Sequence, residues 1–398
     1  MKRKKAKQKS KSKAPIVFAT SALLNDLGSD AIKPFWPTFV TSVLGAPAYI
    51  LGILDGMGEA IAYGIRWPAG YIADRYRKKP MVWLGYLMAA LSRIGYSISK
   101  AASWLFPFKA MDRLGKLRDP PRDAMLAREV SKKERGRAFG LLTAMDNIGA
   151  MLAPFFGLLL FSLFSYRATF ALAAIPSIIS SLLIFALIKE KNKKKKHAQQ
   201  AEKLKSRQAS QKAFSKEFKK YVAFTFIFAL GWISNSFMLL FAGLKGIDVK
   251  LFPIFLFITS AMAVVASYSL GKLSDKLGRK RAILLGYAIH SLMLLGFLSF
   301  YFFTLSKSLT FALLILLFAL YGFGFGAITA IQPAFAIDLA EKRPAEASGI
   351  LATFFGFSAL LASTIAGILW QISPALTFGF AAFAAITGNV LILFLRHK

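Results

Sequence analysis

A chain of 398 residues that is 56% hydrophobic, only 18% charged and +0.52 in mean hydropathy carries too much apolar surface for a water-soluble protein of its size. Its formal net charge of +33 invites a nucleic-acid reading, but the basic residues are dispersed over many segments that flank apolar runs, and no separate basic module is visible. The chain has no cysteine, only His197, His290 and His397, and no HExxH, P-loop or Gly-x-Ser-x-Gly motif, so disulfides, thiolate sites and the common hydrolytic chemistries drop out. We expect no enzymatic activity, no cofactor, no bound metal and no nucleic-acid partner.

The first 14 residues form a tail with eight lysines and arginines between Lys2 and Lys13, too charged, and followed by too long an apolar run, for a cleaved signal peptide. Apolar stretches of about 20 residues, the length that crosses a ~30 Å hydrocarbon core, then predict twelve transmembrane helices. They fall at 15–41, 48–72, 81–99, 101–117, 138–163, 168–188, 221–245, 251–273, 281–303, 309–335, 346–371 and 375–395. The fourth is the least apolar, since Lys109 and Asp112 interrupt it. Between the sixth and seventh, Lys189 to Lys220 holds thirteen more basic residues and reads as a solvated linker with a surface helix around Phe214 and Phe218. The expected domains are a basic tail at 1–14, a six-helix bundle at 15–188, a linker at 189–220 and a second six-helix bundle at 221–395.

An even number of spans puts both termini on one side. Of the 52 lysines and arginines, 43 lie in segments on that side, against five (Lys100, Arg167, Lys245, Lys250, Lys307) in the opposite loops. The positive-inside rule makes that side the cytoplasm, in a cell (inner) membrane protein of many passes.

Ionisable residues at mid-membrane cost about 2.5–3.5 kcal/mol each on insertion scales and therefore mark candidate sites. Span 1 carries Asn25, Asp26, Asp30 and Lys33, the last three on one helical face; span 2 carries Asp55 and Glu59, four apart. Span 3 carries Arg93, and span 5 carries Asp146 and Asn147. Arg66 and Lys109 read as snorkelling to the interface, and Asp112 with Arg113 as a structural pair at a helix end. The second half has no mid-span carboxylate; it offers the polar Asn235, His290, Thr329, Gln332 and Asn389 and an aromatic wall of Trp232, Phe237, Phe323, Phe325, Phe354 and Phe355.

The chain also repeats itself. Gly70-Tyr-Ile-Ala-Asp74-Arg75-Tyr-Arg77-Lys78-Lys79 and Gly271-Lys-Leu-Ser-Asp275-Lys276-Leu-Gly278-Arg279-Lys280 share one pattern 201 residues apart, each between the second and third span of its half. Two half-molecules with matching loops are the mark of a duplicated transporter. These loops resemble the signature loop of the major facilitator superfamily. So do Leu44-Gly45-Ala46, Asp112-Arg113-Leu-Gly115-Lys116, Pro121-Arg122-Asp123-Ala124 and Arg135-Gly-Arg137-Ala-Phe139-Gly140, which are similar to a prokaryotic permease branch of it. In the first loop Tyr76-Arg77 stands where the family has a second glycine.

The resemblance implies two pseudo-symmetric six-helix bundles, an all-α membrane fold working by alternating access. It implies a cytoplasmic latch formed by Gly70, Asp74 and Arg75 and by Gly271, Asp275 and Arg279. The glycines would let helices pass closely, and the acids would engage a helix start and a basic residue in the opposite half. Gly149-Ala-Met-Leu-Ala-Pro154-Phe-Phe-Gly157 resembles the family's antiporter motif, with Ala153 in place of a glycine and Pro154 expected to kink the span. Spans 1, 2 and 5 line the cavity in such folds, so Asp26, Asp30, Glu59, Asp146 and Asn147 are expected there, with Arg93 or Lys33 as counter-ions. Neighbouring buried carboxylates can exchange protons, and the expectation is a monomeric proton- or cation-coupled antiporter, an efflux permease for a small amphipathic or cationic molecule. The alternative is a uniporter or symporter for an organic acid, sugar or metal ion.

Overall fold

The computed structural model describes residues 13–65, 77–131, 134–189, 214–340 and 344–396, and every regular element among them is helical. The first half contains α1 (Ala14–Ala31), α2 (Ala48–Gly64), α3 (Lys78–Ile98), α4 (Leu105–Leu114), α5 (Asp119–Glu129), α6 (Arg135–Leu163), α7 (Tyr166–Leu172) and α8 (Ala174–Leu187). The second contains α9 (Lys216–Ala229), α10 (Asn235–Leu244), α11 (Phe252–Leu277), α12 (Arg279–Tyr301), α13 (Lys307–Ala340), α14 (Pro344–Ile372) and α15 (Pro374–Leu393).

Eight stretches are long and apolar enough to cross a membrane, and they coincide with expected spans 3, 5, 6 and 8 to 12. Spans 1, 4 and 7 fall short, each for a local reason, and span 2 is described only as far as Ile65. α1 carries Asp26 and Asp30 and ends at Ala31, before Pro34 and Pro37 turn the chain into a short helical turn and a π-helical stretch at Phe39–Val43. α2 carries Asp55 and Glu59. The expected fourth span, 101–117, is instead a ten-residue α4, a 3₁₀ turn at Gly115–Arg118 and then α5, where a loop was expected. The seventh is broken between α9 and α10: Ser234 is extended and its Oγ accepts from the Ser236 amide at 3.2 Å. Gly231 lies so close to Ala381 and Ala385 of α15 that a Cβ there would overlap them. α9 also begins inside the expected linker. Ser215 caps it by accepting from the Phe218 amide at 3.1 Å, and the Phe214 ring stacks on Phe218.

Within the first half α1 packs on α6 and α8, and α3 packs on α8 and α4; within the second α11 and α12 pack on α13, and α15 on α12 and α9. The halves meet along α2 against α14 and α6 against α11. Lipid offers no hydrophobic drive between helices, so close backbone approach at small residues does the work. Gly149 meets the backbone of Leu23 and Gly157 that of Ala31, leaving no room for a Cβ at either. Pro154 lies inside a helix that runs unbroken from Arg135 to Leu163. Gly271, by contrast, has no neighbour within 4 Å of a Cβ among the described residues. Large apolar side chains such as Leu163, Phe383 and Tyr268 stand at least two-thirds exposed on the outer faces, where lipid rather than protein would cover them.

Candidate functional site

A cavity of about 550 Å³ lies between the two halves. Its lining runs from Trp36, Asp55 and Ser234–Ser236, on the side away from the linker, to Arg118 and Arg122 toward the linker side. Asp26, Asp30, Glu59, Arg93 and Asp146 all line it. Asn147 does not: neighbouring helix positions point about 100° apart, and with Asp146 turned inward Asn147 is exposed.

Asp55, absent from the expected site, is the most heavily bonded carboxylate in it. Its Oδ1 accepts from Lys109 Nζ and Trp36 Nε1, each at 2.9 Å, and its Oδ2 accepts from the hydroxyls of Ser234 (2.7 Å) and Ser236 (2.6 Å). Two donors come from each half of the chain, so one buried charge ties the halves together. Lys109 is itself buried, 4.3 Å above the Trp36 ring, and does not snorkel.

The remaining charges form further pairs. Lys33 holds Asp30 at 2.8 Å, Arg113 reaches Glu59 at 3.7 Å and Asp112 at 3.6 Å, and Arg122 reaches Asp146 at 3.7 Å. Arg113 is therefore more than half of a terminal pair with Asp112: it faces the cavity. Arg118 and Arg122, which lie where a basic cytoplasmic loop was expected, also face it, and both pair with Asp119. Arg93 was expected, with Lys33, as a counter-ion to the cavity carboxylates Asp26, Asp30, Glu59 and Asp146. Instead it donates Nη1 to the Ser177 hydroxyl at 2.5 Å and Nη2 to the Ser29 hydroxyl. Seven carboxylates and seven lysines or arginines line the cavity, so the charge of its wall is balanced.

The second half supplies the opposing surface: Trp232, Tyr321 and Phe325, with Asn235 and the hydroxyls of Thr259, Ser260 and Ser363. Of the expected aromatic wall only Trp232 and Phe325 line the cavity; Phe237 is fully buried beside Trp370, and Phe354 stands nearly half exposed against Phe226. His290 is buried behind Trp232, its ring stacked on the indole at 4.5 Å.

Of the expected latch, Gly70, Asp74 and Arg75 lie outside the described residues. Asp275 pairs with Arg279 at 2.8 Å, and Arg279 also bonds Ser274 at 2.5 Å and reaches Asp338 at 3.5 Å. All four residues belong to the second half. Among the described residues Asp275 has no partner across the seam, contrary to the expected engagement with the first half.

A family model described as Major Facilitator Superfamily matches residues 18–345. An uncharacterized MFS-type transporter of Methanocaldococcus jannaschii is 34% identical over 397 residues, covering 96% of this chain and 95% of that protein. Multidrug resistance protein MdtH of Salmonella arizonae is 32% identical over 158 residues, 39% of each chain. Among solved structures, the nucleoside transporter NupG superposes with a TM-score of 0.77 over 96% of this chain and all of that one, at 13% identity. A bacterial homolog of the human lysosomal transporter Spinster, in an inward-facing and unoccupied conformation, superposes with a TM-score of 0.67 over 97% of this chain and 95% of that one, at 16% identity. The chain belongs to the major facilitator superfamily of membrane transporters.

Proposed function

We propose that this transporter works by alternating access of its central cavity, exchanging protons for a small amphipathic solute, cationic ones included, and that it exports that solute across the cell membrane with both termini in the cytoplasm. In this reading residues 15–188 and 221–395 are the two moving bundles, a basic tail and linker flank them, and the monomer is the working unit. The observation that carries the proposal is Asp55. A carboxylate that holds two donors from each half changes its grip when it takes a proton, because a neutral acid accepts more weakly from Lys109, Ser234 and Ser236 than a carboxylate does. Asp26, Asp30, Glu59 and Asp146, in the same cavity, are the further coupling candidates. The charged wall facing Trp232, Tyr321 and Phe325 supports an amphipathic solute, and the partial likeness to a protein named for multidrug resistance supports export.

The test uses everted membrane vesicles from cells expressing the chain, energised to an acid interior, with ethidium as probe. Gradient-dependent accumulation that a protonophore collapses is expected. Accumulation no greater than in vesicles lacking the chain, across a panel of amphipathic dyes, would overturn proton-coupled export.

A further inference from the structure

Most charges in the cavity have an opposite charge within ion-pair distance; among the described residues Arg93, Asp26 and Lys116 do not, and of these Arg93 and Asp26 share a hydrogen-bonded path. Arg93 is 1% exposed, and no described carboxylate oxygen lies within 4.0 Å of it; serine hydroxyls hold both its terminal nitrogens. The two carboxylates whose charges bear on it most, Asp112 and Asp30, are taken by Arg113 and Lys33. The Asp26 carboxylate accepts from the Asn25 side-chain amide at 2.9 Å and has no described cation within ion-pair distance. Neutral groups join the two charges: Arg93 donates to Ser177, Ser177 donates to Asn25 Oδ1 at 3.1 Å, and Asn25 Nδ2 donates to Asp26. Along α1, Asp26 lies one helical turn from Ser29, the other anchor of Arg93. A buried guanidinium without a carboxylate is costly unless something anionic arrives, and its planar fork suits a carboxylate.

We propose that Arg93 and Asp26 form a dipolar recognition site, Arg93 taking the anionic group and Asp26 the ammonium of a short zwitterionic substrate whose aromatic or apolar body lies on Trp232, Tyr321 and Phe325. This rests on the transport reading and narrows it from amphipathic solutes in general to those carrying both charges. The balanced wall agrees with it, since neither a pure cation nor a pure anion would leave the cavity neutral. Ser29, Ser177 and Asn25 are positioning residues that keep the two charges apart instead of letting them collapse into a pair.

The test is equilibrium binding to the purified full chain in detergent, read by quenching of tryptophan fluorescence, since Trp36 and Trp232 both line the cavity. Three probes share one aromatic body: phenylalanine, phenethylamine and 3-phenylpropionate. Phenylalanine is expected to bind most tightly. Arg93→Gln should weaken phenylalanine and 3-phenylpropionate roughly tenfold to a hundredfold, the range for loss of a charge-assisted bond, and leave phenethylamine unchanged. Asp26→Asn should weaken phenylalanine and phenethylamine and spare 3-phenylpropionate; it preserves side-chain volume and serves should Arg93→Gln not fold. Phenethylamine binding as tightly as phenylalanine, variants that shift all three probes alike or none, or no saturable quenching by any of the three overturns the proposal. Binding needs no gradient, so loss of proton-driven dye export with this selectivity intact would fell only the coupling reading, and dye export without the selectivity only this one.

Discussion

Asp55 and Lys109 are each tolerable in the bilayer because of the other. An isolated buried charge costs several kcal/mol, and breaking such a pair typically costs about 3–5 kcal/mol. Asp55→Asn keeps the shape but leaves Lys109 buried with only the Trp36 ring to face. We expect a clear fall in thermal unfolding temperature in detergent, and recovery of most of it in Asp55→Asn with Lys109→Met, which removes the orphaned charge. Equal destabilisation by the single and the double variant would mean that the pair holds nothing together. The sequence shows Asp55 four residues before Glu59, which is enough to place both on one face of α2. It does not show that Ser234 and Ser236, some 180 residues later, meet that carboxylate, because nothing local encodes a contact across the seam. Asn147 fails the other way. Its neighbour Asp146 earned it a place by adjacency, whereas helical geometry allows only one of the two to face the cavity.

Among the elements, the apolar helices were legible to within about five residues at each end, since a run of about 20 apolar residues has few other uses. The cavity-lining ones were legible only as positions. Span 4 breaks into α4, a 3₁₀ turn and α5, because its charges find partners inside the protein and its backbone need not face lipid. For the same reason Arg118 and Arg122 looked like topology signals and are cavity residues. The antiporter-like motif has a tangible role in the fold: Gly149 and Gly157 admit α1 against α6. Gly149→Leu should force the helices apart and lower stability by about 1–3 kcal/mol, the usual cost of overpacking, whereas Gly271→Ala, which meets nothing within 4 Å among the described residues, should shift it by less than about 0.5 kcal/mol. Comparable losses in both, measured by thermal unfolding in the same detergent, would contradict the packing assigned to α1 and α6.

At the scale of the whole molecule, the two matching loops lie one in each half of the chain, and the dispersal of basic residues predicts the proposed orientation. Tags at both ends should be protected from protease in sealed right-side-out vesicles; digestion of either from outside would reverse the proposed topology. What the sequence could not give is the contact between the halves, which is where a carrier must yield. The absence of any cysteine allows that contact to be watched directly. Spin labels on cysteines introduced at Val43 and Leu244, exposed positions at the ends of spans 1 and 7 away from the linker, would report their separation by pulsed electron resonance. Alternating access predicts two populations, a short distance with the seam closed and a longer one with it open, and growth of the longer one when acid or Asp55→Asn neutralises the carboxylate. A single short distance at every pH, in the parent and in Asp55→Asn alike, would contradict it.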